Sequence, residues 1–261
     1  MVKDDDLVKN VFLILIPAVA CTLIYLSGLG DLLVLKYPSD IPRLILTSYT
    51  TNFVHRTFEH FIGNMGIYLF CSFTSFILLR MMNLKIFRKT LLAILLLVPF
   101  ICSAVTILGF EISQFPDTRE AYGFSGIGSA TAGILVFSLA LVAAFEKGSL
   151  LKDDIIWAYL MALFCVPYYF HTTYLGEKGY IFIILPIIPS IILVWRHRTE
   201  KRRLLAIFFA FISCVVSVGM ISAILFPQTV VQNGQAVNIP AHLVGFVMGI
   251  LISFLFVSKE I

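Results

Sequence analysis

GFSGIGSATAGILVFSLALVAA, residues 123–144, is an uncharged apolar run with a serine, Ser125, close to its start. Ala241-His242-Leu243-Val244-Gly245 opens the last apolar run of the chain in the same way, with a histidine near its first turn. A serine hydroxyl is a weak nucleophile until an adjacent base takes its proton. Histidine, with an ordinary pKa of about 6.5, is the side chain suited to that task near neutral pH. Two such residues at the heads of two membrane helices can work together only if both heads lie on one side of the membrane.

Hydrophobic residues make up 59% of the 261 positions and charged residues 13%, with a mean hydropathy of +0.97. A soluble domain carries about 25% charged residues. Apolar runs of about 20 residues recur along the whole length, so the expected fold class is all-α, a polytopic membrane helix bundle. No linker is long enough for a separate soluble unit, and residues 1–261 read as a single membrane domain. The acidic start Met1-Val2-Lys3-Asp4-Asp5-Asp6 precedes an apolar run, Val11 to Leu26, that no small-residue cleavage site follows. That run reads as a retained helix and not as a removed signal peptide. The net charge of +4 is no nucleic-acid signature, because the cations sit between spans, where topology accounts for them. Cys21, Cys71, Cys102, Cys165 and Cys214 fall in five different apolar runs, at spacings that match no zinc or redox motif. They read as small buried hydrophobes, and neither metal nor organic cofactor is expected.

Eight helices are expected, at about 10–28, 60–80, 90–110, 124–145, 155–171, 180–195, 204–226 and 240–258. The sixth is short and carries Pro186 and Pro189. Lys and Arg set the orientation, since they concentrate in cytoplasmic segments. With the N-terminus inside, fourteen of the nineteen cations lie inside, among them Arg80, Lys85, Arg88 and Lys89, and Arg196, Arg198, Lys201, Arg202 and Arg203. Lys36, Arg43, Arg56, Arg119 and Lys178 lie outside. The expected location is a cell membrane with both termini cytoplasmic. The loops before His60, before Ser125 and before His242 (Pro227 to Ile239) are then all external. Three spans separate Ser125 from His242, so the two helices run the same way and the pair can meet.

His60-Phe61-Ile62-Gly63-Asn64 heads a further span, and its two polar side chains, four residues apart, share a helix face. Gly245 and Gly249, like Ser129 and Gly133, are small-residue pairs at the spacing that lets membrane helices approach closely. Gly126 lies beside Ser125, and Gly123 permits an irregular entry to that helix.

With these three fragments in order on one membrane side, the chain resembles the rhomboid family of intramembrane serine proteases. The resemblance implies a rhomboid-like six-helix core, here with an extra helix hairpin between Ser125 and His242. It implies Ser125 as nucleophile and His242 as general base, with no buried carboxylate behind them. His60 and Asn64, with the Ser125 backbone N–H, take the oxyanion-stabilising role, and His55 matches a further histidine of the family motif. The partners so implied are the lipid bilayer and transmembrane protein substrates, cleaved near the outer face. No Asp or Glu lies in the middle of a span, which disfavours aspartyl intramembrane proteolysis. The stretch His55-Arg56-Thr57-Phe58-Glu59-His60 lacks the His-Glu-x-x-His spacing of the zinc type.

The sequence departs from the family pattern at three points. The first external loop, about 29–59, lacks the Trp-Arg pair common there. Ser129 stands where several members place an aromatic that stacks on the histidine. The extra hairpin leaves the span at 204–226, next to the His242 helix, as the expected lateral gate, with the Pro227–Ile239 loop as a movable cap. Two alternative functions are a catalytically inactive rhomboid-like protein that binds membrane clients, and a transporter. The former usually loses the serine or the histidine, and the latter tends to carry intramembrane charges or repeated halves. His171 reads as an interfacial residue and His197 as exposed in its basic loop.

Overall fold

A computed structural model describes residues 4–112, 120–146, 149–174, 182–225, 231–232, 235–236 and 238–260. The His171 side chain and most of the Pro227–Ile239 loop lie outside the described residues. The helices in chain order are α1 (Asp4–Ser27), α2 (Gly30–Leu33), α3 (Ile41–Thr50), α4 (Phe58–Met81) and α5 (Phe87–Ile112). Then follow α6 (Ser125–Ala144), α7 (Lys152–Tyr174), α8 (Ile184–Arg196), α9 (Lys201–Leu225) and α10 (Ile239–Glu260). Lipid offers backbone groups no hydrogen bonds, so apolar runs of this length close their N–H and C=O groups within a helix. Among the described residues six helices are long and apolar enough to cross a membrane, namely α1, α4, α5, α6, α9 and α10. The protein is a multi-pass membrane helix bundle. Eight spans are expected from the sequence; α7 is not among these six, and α8, at 13 residues or ~20 Å, is shorter than a ~30 Å hydrocarbon core.

α6 is the axis of the bundle. In its most apolar stretch 89% of residues are buried by protein, against 17% for α1, which stands at the rim. α6 and α10 run in the same direction with their backbones touching. Gly245 faces the Gly126 carbonyl and Ser129, Gly249 faces Ala130, and Gly133 faces the Phe246 carbonyl and Ile250. A side chain at any of these glycines would occupy the neighbouring backbone, which is why the small-residue spacing matters here. α4 also runs parallel to α6, with Gly128 against the Asn64 carbonyl and Ile67. The heads of α4, α6 and α10 therefore share one end of the bundle.

The first loop is built, not slack. α3 docks on α5 through a proline: Pro99 has no N–H for the Leu95 carbonyl, and the Tyr49 hydroxyl donates to that carbonyl at 3.2 Å. Ser103 Oγ donates to the Ser48 carbonyl at 2.6 Å, and Asn52 Nδ2 reaches the carbonyls of Ser48, Tyr49 and Pro99.

The α7–α8 hairpin is fastened at the opposite end. Asp154, in the first turn of α7, is fully buried and accepts from Arg196 Nε at 3.0 Å, His197 Nε2 at 2.6 Å and Arg203 Nη2 at 2.6 Å. His197 is thus not simply exposed. The α8–α9 turn folds over the head of α7 because a carboxylate taken out of water requires counter-charges. The same fastening holds α9, the expected gate, at its Arg203 end.

Candidate active site

Three elements bring the sequence-selected residues to one end. Thr57 caps α4 by accepting from the His60 N–H at 3.3 Å, which sets His60 in the first turn. α6 begins at Ser125 itself, and Phe124 before it provides no side-chain cap. The first-turn N–H groups of Ser125 and Gly126 therefore have no acceptor within the helix. Asn238 caps α10: its Oδ1 accepts from the Ala241 N–H at 3.2 Å, while its Nδ2 donates to Thr106 Oγ1 on α5. That fixes the turn carrying the buried His242.

Gly123 joins these parts. Its φ of +124° is a conformation that favours glycine. A Cβ there would lie 2.8 Å from His60 Cε1, 3.1 Å from His60 Nε2 and 3.8 Å from Ser125 Oγ, so the imidazole and the hydroxyl flank the same α-carbon. Ser125, Gly126 and Ala241 border one small cavity, whose polar wall comes from Thr51, Asn52 and Asn238. Cys102 on α5 seals the seam: its Sγ donates to the Ala241 carbonyl at 3.4 Å and lies against Gly126.

Asn64 stands one turn below His60, as the spacing predicts, but its amide is engaged elsewhere. Asn64 Nδ2 lies 3.1 Å from His55 Nε2, both residues being buried, and the His55 ring meets His60 edge-on at 5.2 Å between centroids. With the amide placed as a donor, His55 is neutral and carries its proton on Nδ1, beside the Phe53 carbonyl. Burial, assisted by the charge of His60, pushes the His55 pKa down from 6.5 to about 3. The unfolded chain therefore binds a proton that the folded one refuses between those values, so stability rises with pH across that window and is lost as pH falls. The melting temperature in detergent is expected to drop between pH 6.5 and 3, and to drop less in His55→Gln, whose side chain does not titrate. An equal drop in both proteins assigns the acid sensitivity to other groups.

Several residues that sequence reasoning missed support this site. Thr51 is the hub of the entry to α6: its Oγ1 accepts from the Leu35 N–H at 3.1 Å and donates to the Ala121 carbonyl, and its own carbonyl accepts from the Gly123 N–H at 3.0 Å. A two-residue ladder, Leu35–Lys36 with Glu120–Ala121, runs alongside. Glu120 bonds to Lys36 at 2.9 Å and to Arg56 at 2.8 Å, and these two cations, Lys36 foremost, hold its carboxyl below the usual range. Arg56 also lies over the Tyr122 ring at 4.7 Å. Thr51→Val leaves a buried donor and acceptor unmet, at about 1–3 kcal/mol each. Faster amide exchange over segments 34–36 and 120–124 is expected in Thr51→Val and not in Thr51→Ser. Unchanged exchange in the valine variant removes Thr51 from this role.

Ser129 has a partner from the extra hairpin. Its Oγ and the Tyr169 hydroxyl are 3.0 Å apart, and the Tyr169 ring stacks on Phe246 at 4.2 Å, one turn beyond His242. Sequence signals for Thr51, Asn238 and Tyr169 are slight, because each acts across 40 residues or more.

No protein-family model, curated protein or solved structure matches the chain.

Proposed function

We propose that this protein is an intramembrane serine endopeptidase of rhomboid type that cleaves transmembrane segments of other membrane proteins. The observation that carries the reading is the parallel, backbone-to-backbone contact of α6 and α10, whose first turns hold Ser125 and His242. Ser125 Oγ attacks the scissile carbonyl while His242 takes its proton, and His242 then gives that proton to the leaving amine. Water, activated by the same histidine, releases the acyl group from Ser125. Negative charge on the former carbonyl oxygen meets the uncapped first-turn N–H groups of α6 and the half-buried imidazole of His60. Asn64 acts one step back, by holding His55 against His60.

In this reading the chain crosses a cell membrane eight times, α7 and α8 included. Both termini are cytoplasmic, and the Ser125 end of the bundle faces outward. The excess of Lys and Arg at the Asp154 end supports that orientation. A fluorophosphonate probe is expected to label the purified protein and to lose labelling in Ser125→Ala. Equal labelling of the two proteins overturns the assignment of the nucleophile, and absent labelling of both favours a client-binding protein without activity.

A further inference from the structure

At the end of the bundle away from Ser125, a cavity of about 90 Å³ opens between the head of α1 and the α4–α5 turn. We propose that it binds the headgroup of an anionic phospholipid, phosphatidylglycerol being the chemical type. Three cations meet there: Arg80 from the last turn of α4, Lys85 from the turn, and Arg88 from α5. Among the described residues that line it, Asp6 is the one acid, 3.7 Å from Arg88, against three cations. The volume exceeds the ~10–15 Å³ that one water needs by the same measure, and suits a phosphate-sized group.

Three further observations point to a lipid. The cavity lies at a span boundary, where α1 and α5 begin and α4 ends, the depth of phosphates in a bilayer. Its flank is α1, which protein barely covers, and Val8 and Phe12 on that helix are exposed to whatever surrounds the bundle. Apolar Leu7, Phe76 and Phe87 complete the wall, as glycerol and upper acyl carbons require. Asn10, also in the wall, is held by the head of α1, its Nδ2 donating to the Asp6 carbonyl at 2.6 Å. Basic pockets between helices at the membrane surface bind acidic headgroups by the same attraction.

The test is native mass spectrometry of the full chain released from micelles containing equal phosphatidylglycerol and phosphatidylcholine. Wild type is expected to retain phosphatidylglycerol preferentially. Arg80→Gln with Lys85→Gln is expected to weaken that retention about tenfold, since each cation near the surface contributes to holding an acidic lipid. Arg198→Gln with Lys201→Gln, two exposed cations at the same end, is expected to change nothing. No preference in wild type, or an equal loss in the Arg198 and Lys201 pair, overturns the site. Displacement of the lipid by millimolar inorganic phosphate also overturns it, in favour of a free anion. Thermal melting of each variant separates loss of the site from loss of the fold.

Discussion

If Ser125 and His242 act as proposed, Ser125→Ala and His242→Ala are each expected to abolish cleavage of a model transmembrane substrate, with rates falling by roughly 10⁴ or more, as removal of a nucleophile or its base does elsewhere. The two losses are not additive, because the hydroxyl and the imidazole act as one unit. Ser125 is half-buried at the head of α6, so its alanine variant is expected to melt like wild type. His242 is 3% exposed, and its truncation leaves a void, so His242→Gln is the companion that keeps the volume. His60→Ala is expected to cost about 10²–10³ in rate, the typical effect of losing one oxyanion donor. Asn64→Ala is expected to cost less, because its amide is spent on His55. Retained cleavage in a well-folded Ser125→Ala sinks the mechanism. A larger loss from Asn64 than from His60 reverses their roles.

Gly249→Val unfolds the bundle, or separates α10 from α6 so far that no site remains. A Cβ at Gly249 falls inside the Ala130 backbone, and one at Gly245 falls inside the Gly126 carbonyl. Neither neighbour is the yielding tip of a side chain, so the helices themselves must move apart. Overpacking typically costs about 1–3 kcal/mol, and contact between two backbones stands at or above the top of that range. Gly63 and Gly66 on α4 provide the contrast, since a Cβ at either meets nothing within 4 Å. Alanine there is expected to be neutral or stabilising by up to about 1 kcal/mol, the helix-propensity difference between the two residues. Thermal unfolding in one detergent ranks the three variants. A melting temperature for Gly249→Val close to that of Gly66→Ala shows that the interface is looser than the geometry described here.

The helices and the shared sidedness of Ser125 and His242 were legible because apolar run length and cation placement are local signals. The glycine spacing foretold which helices would touch, and the contacts fall at Gly126, Gly133, Gly245 and Gly249. Asn64 shows where such reasoning stops. Four-residue spacing puts it on the face of His60, but only the path of the preceding turn decides that His55 takes its amide. His197 was misread for a similar reason. A histidine among five cations reads as solvated until the distant Asp154 is brought beneath it. Thr51, Asn238 and Tyr169 carry only slight sequence marks, since a single hydroxyl or amide acquires most of its meaning from a partner distant in the chain.

The fastening at Asp154 imposes an order on the making of this protein. The carboxylate leaves the ribosome well ahead of its partners, which follow 42, 43 and 49 residues later. Until then Asp154 has no counter-charge of its own and must remain in water at the membrane surface, for a lone carboxylate cannot enter lipid cheaply. α7 is therefore a helix that waits. Its head sinks into the protein only when Arg196, His197 and Arg203 emerge, so α7, α8 and the start of α9 complete their assembly together. α10, and with it His242, is synthesised only after every partner of Asp154 has emerged.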